Sequence, residues 1–417
     1  MGGQTSSSSQ LQGMLITLFS NSNGFTDSTA QKLAESFVET FIQVLARNFP
    51  SVSETLQNQK PHNVRWNSRA IQHGYNLKEP LPKASELFEL RHTPTLKDFE
   101  STHHVNIILD AFRTPLNPSS LHRPLRLALF DMDSTLINEE VIDELARSIG
   151  KTDAVSAITH RAMNGEIDFE TSLRERVAML KGVKTTIWDA LQGTLTITNG
   201  ARELIQALKE AGVMTVVVSG GFTPMAEWLK GELGLDQAIA NHVRTLSERS
   251  LQSTSFSNNC PFHHPLTFHP PARMHYPSIK TSVLMIPSQL LTSPPTPTHP
   301  YPHLTGTLSP DHPVVTPELK RSRLLSLAES HNLLLSETLA VGDGSNDLLM
   351  LHAAGLGIAY NAKQRVQEAA PMRLNGQSLV DILCLLGLEG PEPMLNEDQV
   401  DGLEDIGGEQ HEGENKG

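Results

Sequence analysis

Asp131 and Asp133 stand two residues apart at the end of an apolar run, Leu127 to Phe130, and Ser134 and Thr135 follow them. Such a run reads as a buried parallel strand, and the carboxyl end of that strand is where an open α/β sheet offers a crevice to a ligand. Two carboxylates there are costly unless something neutralises them. A divalent cation and a phosphate would do so, although a strand followed by an Asp-rich helix cap would use the same residues. Two further runs end in groups of matching kind. Ser219 and Gly220 close the β-branched run Val213–Ser219, and Gly221 follows. Small residues in such a turn let the backbone approach an anion at a helix N-terminus, though an ordinary strand-to-helix turn would look no different. Asp343, Asn346 and Asp347 follow the short run Thr338–Val341, and Lys320 lies on the helix that leads into it.

Phosphoryl transfer needs an in-line nucleophile, positive charge, donors around the phosphoryl oxygens and an acid for the leaving group. A carboxylate serves as nucleophile through an aspartyl-phosphate, and a second carboxylate two residues on reaches the leaving oxygen from the same loop. A calcium loop is a weaker reading of Asp343–Asp347: it lacks the Gly at the sixth position and has Ala354 where a bidentate Glu belongs. A receiver-type signalling domain also phosphorylates an Asp at a strand end. It needs neither a second Asp nor a helical insert between the first two motifs, and both are present here. A catalytically dead descendant is a third reading, disfavoured because all the motif residues are present.

The elements that must position these groups alternate in a βα rhythm. A strand at Leu125–Phe130 is followed by three helical segments, near Asn138–Gly150, Asp153–Asn164 and Asp168–Lys181, with no strand between them. They form an insert placed to act as a lid that excludes water. The rhythm resumes with a helix at Ala201–Ala211, the Val213–Ser219 strand, a helix at Lys320–Ser330, the Thr338–Val341 strand and a helix at Asp347–Ala354. A strand at Gly357–Tyr360 and helices near Lys363–Ala370 and Ser378–Gly387 complete it. Strand ends of a doubly wound sheet converge on one edge.

Around this unit the chain divides by composition. Residues 1–23 are Ser/Gly/Gln-rich with one apolar patch, Met14–Phe19, and read as a disordered lead-in whose first six residues fit the loose myristoylation pattern. Residues 24–120 hold a helix to about Asn48, with an apolar stripe at Leu33, Phe37, Phe41 and Val44, and a strand at Val105–Leu109. Ser247–His303 carries 11 of the 26 prolines and six of the 18 histidines and has no period, so it reads as a disordered insertion. The tail from Glu389 has ten acidic residues against Lys416 alone, nine of the net charge of −13. It reads as disordered, and the body is left only mildly acidic. No basic face for nucleic acid is expected, and no membrane-crossing run. Two cysteines, Cys260 and Cys384, fit a reducing, cytoplasmic setting.

In this order DMDST, SGG, a downstream Lys and GDGSND resemble the haloacid dehalogenase (HAD) superfamily. The likeness extends through ALFDMDSTLINEEVIDELARSIG, EIDFETSLRERVAMLKG, VVVSGGFTPMAEWLKGELGLDQAIAN and LAVGDGSNDLLMLHAAGLGIAYNAK. Over about Leu125–Leu388, apart from the insertion, the chain is similar to the phosphoserine phosphatases. The resemblance implies an α/β fold, a HAD-like doubly wound parallel sheet in residues 121–388, with a small helical cap at about 137–197 and an α+β region before it. It implies Asp131 as nucleophile and Asp133 as general acid and base. Ser219 and Gly220 would hold the phosphoryl oxygens, Lys320 would offset their charge, and Asn346 and Asp347 would orient Lys320 and the metal shell. Mg²⁺ would sit on Asp131, the backbone carbonyl of Asp133, and Asp343. The substrate would be phosphoserine, its ammonium on Glu140 and its carboxylate on Arg176, with Met163 and Phe169 shaping the lid pocket. Residues 24–120 would be a divergent regulatory module, and a homodimer is compatible. Two features depart from the family: Met132 replaces the usual Phe, and the insertion falls on the path towards Lys320.

Overall fold

The computed structural model describes residues 12–20, 25, 27–59, 63–66, 69–77, 82–112, 125–246 and 302–388. The myristoylation pattern, nearly all of the insertion and the acidic tail lie outside them.

The N-terminal module runs β1 (Gln12–Ser20), α1 (Asp27–Asn48), α2 (Pro50–Asn58), β2 (Asn63–Trp66), β3 (Ala70–Leu77), α3 (Ala84–Arg91), α4 (Pro94–His103) and β4 (Val105–Phe112). Its antiparallel sheet has the order β2-β3-β1-β4. Residues 12–20, expected in the lead-in, form β1, a central strand in which Ile16 pairs with both His73 and Leu109. The reason is burial on both sides. Met14, Ile16 and Leu18 pack with Phe37, Phe41, Leu45 and Phe99 of the helices. Phe19, from the opposite face, joins the core of the following domain. A strand covered on both faces loses the polar alternation that would have marked it.

The second unit opens with β5 (Leu127–Phe130) and passes through the cap helices α5 (Val141–Ser148), α6 (Thr152–Met163), α7 (Phe169–Ala178) and α8 (Ile187–Gln192). It then continues as α9 (Ala201–Glu210), β6 (Met214–Phe222), α10 (Thr223–Leu233), β7 (Gln237–Asn241), β8 (Val243–Thr245) and β9 (Leu304–Leu308). The last part holds α11 (Pro317–Ser330), β10 (Thr338–Gly342), α12 (Leu348–Ala353), β11 (Leu356–Tyr360), α13 (Gln364–Ala369), β12 (Met372–Leu374) and α14 (Asp381–Leu386). The six-stranded sheet has the order β12-β11-β10-β5-β6-β7 and is parallel throughout. The chain leaves β5 towards β6 and β7 and later returns to β10 on the other side. The order therefore reverses between β5 and β10, the kind of place where such sheets bind ligands. Side chains alternate between two cores: Ala128 and Phe130 face one, Leu127 and Leu129 the other.

The cap joins the core through a two-stranded stem. Ile137 bridges Ile197, Asn138 N donates to Thr196 O, and Thr198 N donates to Leu136 O. The insertion departs from a second closed stem. β8 pairs with β9, and Leu246 N donates to His303 O at 3.0 Å. His303, the last residue expected in the insertion, also bridges Lys184 of the cap and so belongs to this stem.

The two units are joined by buried polar ties. The Arg91 guanidinium donates to the carbonyls of Pro371 and Ala370 at 2.8 and 2.9 Å, just beyond the C-terminus of α13. Gln72 Nε2 donates to Cys384 O, Arg69 pairs with Asp381 at 3.3 Å, and Glu100 pairs with Arg373.

Candidate active site

Asp131 follows β5 directly, and its Oδ1 accepts from the Met132 amide at 2.7 Å. The chain then turns tightly through Met132–Leu136, with Ser134 in the left-handed region at φ 53°. This turn aims Asp133 and Thr135 at the same strand ends. Thr135 Oγ1 donates to Asp343 Oδ1 at 3.1 Å, which joins the loop after β5 to the loop after β10.

Lys320 reaches the site from below. Thr316 caps α11 by accepting from Leu319 N, Pro317 starts the helix, and one turn later Lys320 points inward. Its side chain is fully buried, with Nζ 2.8 Å from both Asp131 Oδ2 and Asp347 Oδ1. Burial alone would depress the ammonium's pKa, but the Asp131 and Asp347 charges outweigh it and raise it. Lys320 is therefore a fixed cation. Asp347 is also held by the Gly344 amide at 3.0 Å. A Cβ at Gly342 would lie 2.4 Å from the Asp347 carboxyl, so this loop closes only around a glycine there.

One cavity of about 140 Å³ is lined by Asp131, Asp133, Glu140, Arg176, Gly220, Asp343 and Asn346, with Phe169 from the cap. Eight of the residues singled out from sequence thus meet on one surface. Ser219, Lys320 and Asp347 do not line it; they are fully buried and act through neighbours. Ser219 Oγ accepts from the Gly221 amide at 2.8 Å, shaping the turn that presents Gly220. A Cβ on Gly220 would meet the Phe169 ring at 3.2 Å, so cap and turn close on one another there. The Met163 side chain lies outside the described residues. The sequence reading missed Ile142, Leu173 and Phe222 as parts of the cavity wall. Gly221, the second glycine of the expected turn, is needed as such, since a Cβ there would sit 3.0 Å from Met132 and 3.1 Å from Asp133.

The two aspartates of the first loop differ in environment. Asp131 is paired with Lys320. Asp133 Oδ1 is buried without a hydrogen-bond partner. Its carboxyl is pushed well above the usual range by burial, then by the Glu140 and Asp131 charges. Burial also raises Glu140, whose residue is exposed overall while its carboxyl end sits enclosed. Ser134 Oγ, donating to Glu140 Oε1 at 3.0 Å, works against the rise. Arg176, on α7, is half-buried, and burial lowers its pKa against the pull of Glu140.

Oxygens of Asp131, Asp343 and Asp347 lie within 4.8 Å of one another. Burial, then repulsion from Asp131, pushes Asp343 up to about 7. Three crowded carboxylates share one ammonium, so a hard cation with oxygen ligands fits the donor set and the charge. Of the expected ligands, Asp131 and Asp343 stand in this carboxylate group, and Asp347, expected beside the metal shell, stands with them.

Comparison with known proteins agrees with this geometry. Residues 125–252 and 319–376 match two haloacid dehalogenase-like hydrolase families. A probable phosphoserine phosphatase of Schizosaccharomyces pombe is 37% identical over 274 residues, 66% of this chain and 74% of that protein. The phosphoserine phosphatase of Idiomarina loihiensis is 37% identical over 270 residues, 64% of this chain and 97% of its own length. In fold, a HAD family hydrolase from Salmonella enterica serovar Typhi superposes over 90% of this chain and 98% of its own. Its TM-score is 0.58 at 23% identity, so the likeness takes in the N-terminal module. Among the described residues no helix is long and apolar enough to cross a membrane. The chain belongs to the haloacid dehalogenase-like hydrolases, in the phosphoserine phosphatase family.

Proposed function

We propose that the protein hydrolyses O-phospho-L-serine to L-serine and phosphate through an aspartyl-phosphate on Asp131, the last step of L-serine biosynthesis. The observation that carries this reading is the placing of Glu140 and Arg176 in the same 140 Å³ cavity as Asp131 and Asp133. A free amino-acid phosphate has one ammonium, one carboxylate and one phosphoryl group to satisfy. The cavity offers a carboxylate, a guanidinium fork and a nucleophile on one small surface.

Each step falls to a residue of the cavity or of the layer beneath it. Asp131, ion-paired with Lys320, attacks phosphorus as the bond from phosphorus to the serine oxygen breaks. Asp133, whose burial favours its protonated form, gives its proton to the departing oxygen. Two carboxylates two residues apart thus stand in surroundings suited to different roles. Asp133, now ionised, takes a proton from water, which attacks the phosphorus of the aspartyl-phosphate and releases phosphate and free Asp131. The Ser219–Gly221 turn donates to the phosphoryl oxygens, and Lys320 balances their charge. Mg²⁺ would be held by Asp131, Asp343 and the Asp133 carbonyl, with Asp347 close by. When bound, it offsets phosphoryl charge as a Lewis acid.

The same reading includes a cytoplasmic setting, in keeping with a chain of only two cysteines, Cys260 and Cys384. It also takes the N-terminal module as a divergent regulatory domain. Its split βαβ arrangement and its ties to α13, β12 and α14 support that role.

Phosphate release from O-phospho-L-serine and from p-nitrophenyl phosphate, with Mg²⁺, tests the proposal in the full chain and in Asp131→Asn. A strong preference for phosphoserine that vanishes with Asp131→Asn is expected. Equal turnover of both esters would overturn the substrate, and phosphate release by Asp131→Asn would overturn the nucleophile.

A further inference from the structure

Asn241, the last residue of β7, is 2% exposed and bonds both the turn after β6 and the segment that leads into α11. Its Nδ2 donates to Gly220 O at 2.8 Å. Its Oδ1 accepts from the Val315 amide at 2.9 Å, across 74 positions of sequence. Its own carbonyl accepts from Thr223 Oγ1 at 3.1 Å, at the start of α10. Both ends of one amide are therefore used, each on backbone.

Those two backbone groups belong to the two parts that handle phosphoryl charge. The β6–β7 ladder is regular to Val218 and resumes only at Phe222. The peptides of Ser219, Gly220 and Gly221 thus lie where the ladder does not set their orientation. Val315 is buried and immediately precedes Thr316, the cap of α11, whose carbonyl accepts from the Lys320 amide. Asn241 therefore ties the phosphate-binding turn to the base of the helix that delivers Lys320. Among the described residues between Asn241 and Val315, the strands are β8 and β9, which flank the long insertion.

We propose that Asn241 is a positioning residue that sets the Ser219–Gly221 turn and the Lys320 helix against each other, and so keeps the reaction geometry independent of the chain inserted between β8 and β9. The proposal rests on the phosphatase reading of the site. Closing an insertion costs entropy that rises only slowly with its length, and here the β8–β9 stem sets the register of its two ends. The two-ended Asn241 tie then fixes the segment beyond that stem, up to Val315, against the turn after β6. Only an amide serves both partners. A carboxylate keeps the bond from Val315 N but sets negative charge against the Gly220 carbonyl, and an alanine leaves two buried backbone groups unpaired.

The test is steady-state kinetics of the full chain carrying Asn241→Ala or Asn241→Asp, with Mg²⁺. Both O-phospho-L-serine and p-nitrophenyl phosphate are used, with inorganic phosphate as inhibitor and assays well below the melting midpoint. Misplacement of reacting groups by about 1 Å costs on the order of 100-fold. A fall in kcat of roughly 10- to 100-fold is expected with both esters, and inorganic phosphate inhibition should weaken in parallel. KM for phosphoserine should change less than about threefold, because Glu140 and Arg176 hold the other end of the substrate. Asn241→Asp should be no better than Asn241→Ala. A lowered melting midpoint with kcat and phosphate inhibition unchanged would overturn the proposal. Thr223→Val, which loses the hydroxyl's bonds to the Asn241 and Ala240 carbonyls and leaves the Asn241 side chain in place, serves if neither variant folds; it should lower kcat without raising KM, and an unchanged kcat would count against the tie. For the second half of the proposal, residues 249–299 are removed in the wild-type and Asn241→Ala backgrounds. The deletion should leave wild-type kcat within about twofold and shift that of Asn241→Ala by fivefold or more; equal effects in both would overturn the insulating role. Because p-nitrophenyl phosphate reports the same tie, wild-type turnover of that ester alone would reject the phosphoserine reading and leave the Asn241 test intact.

Discussion

Lys320 Nζ lies 2.8 Å from Asp131 Oδ2 and the same distance from Asp347 Oδ1, with none of its side chain exposed. The ammonium pairs with Asp131 and, through Asp347, holds in place the loop that carries Asp343. Removing one partner of such a buried group leaves charges uncompensated, at a cost of about 3–5 kcal/mol. Lys320→Met should therefore lower unfolding stability by about that amount and reduce kcat at least 1000-fold. Chemical denaturation and phosphate release measured on the same preparation check it. Full stability with lost activity would mean the charge serves the reaction alone.

Arg176→Ala should separate substrate choice from chemistry. A charge-assisted bidentate contact contributes about 2–3 kcal/mol, so kcat/KM for phosphoserine should fall by about 30- to 150-fold. Turnover of p-nitrophenyl phosphate, which has no carboxylate to lose, should stay within about threefold. Parallel losses on both esters would place Arg176 in the folding of the cap instead.

His73 of β3 has both ring nitrogens buried without hydrogen-bond partners, and burial lowers its pKa from 6.5 to about 4. The folded protein thus keeps the ring neutral while the unfolded chain protonates it below pH 6.5. The unfolded state binds more protons in that window, so stability is complete above about pH 6.5 and falls as pH drops towards 4. A shift of this size corresponds to roughly 3 kcal/mol. Denaturation at pH 7.5 and pH 4.5 should show the wild type losing about 2–3 kcal/mol more than His73→Leu. Equal losses would show that the ring is solvated when the protein is folded.

Arg91, 3% exposed, binds carbonyls just past the C-terminus of α13 from the end of α3, where the helix dipole adds to the attraction. Arg91→Ala would leave those carbonyls buried and unpaired. We expect a loss of about 2–4 kcal/mol and, in calorimetry, two transitions in place of one as the N-terminal module melts ahead of the core. A single transition at the wild-type midpoint would show that the Arg69, Gln72 and Glu100 ties suffice.

Much of the site was legible because it is local. Asp131, Asp133 and Thr135 share one turn, and Asp343 to Asp347 share another. Buried parallel strands such as Leu127–Phe130 announce themselves as apolar runs that stop at a charge. The same logic failed at β1. Met14–Phe19 is an apolar patch in a polar leader, and its burial depends on helices up to 80 residues away and on a second domain. Short elements such as β2, α3 and β12 also escaped, since they hold few residues and gain their stability from packing.

The sequence alone determined which groups can do the chemistry: two aspartates at a strand end, a glycine turn, a lysine and an acidic loop, in an order that a doubly wound sheet brings to one edge. It also marked the cap, because amphipathic helices carry their period with them. Only the tertiary structure decided which groups face the cavity and which act from beneath it. Ser219, Lys320 and Asp347 are as polar as Asp133 in the sequence, yet they are buried behind the surface that the others line. Asn241 is the clearest case. Its importance lies in two backbone partners, 21 positions before it and 74 after it. Hydrogen bonds to backbone specify no residue type at the far end, so nothing in the partner sequences announces them.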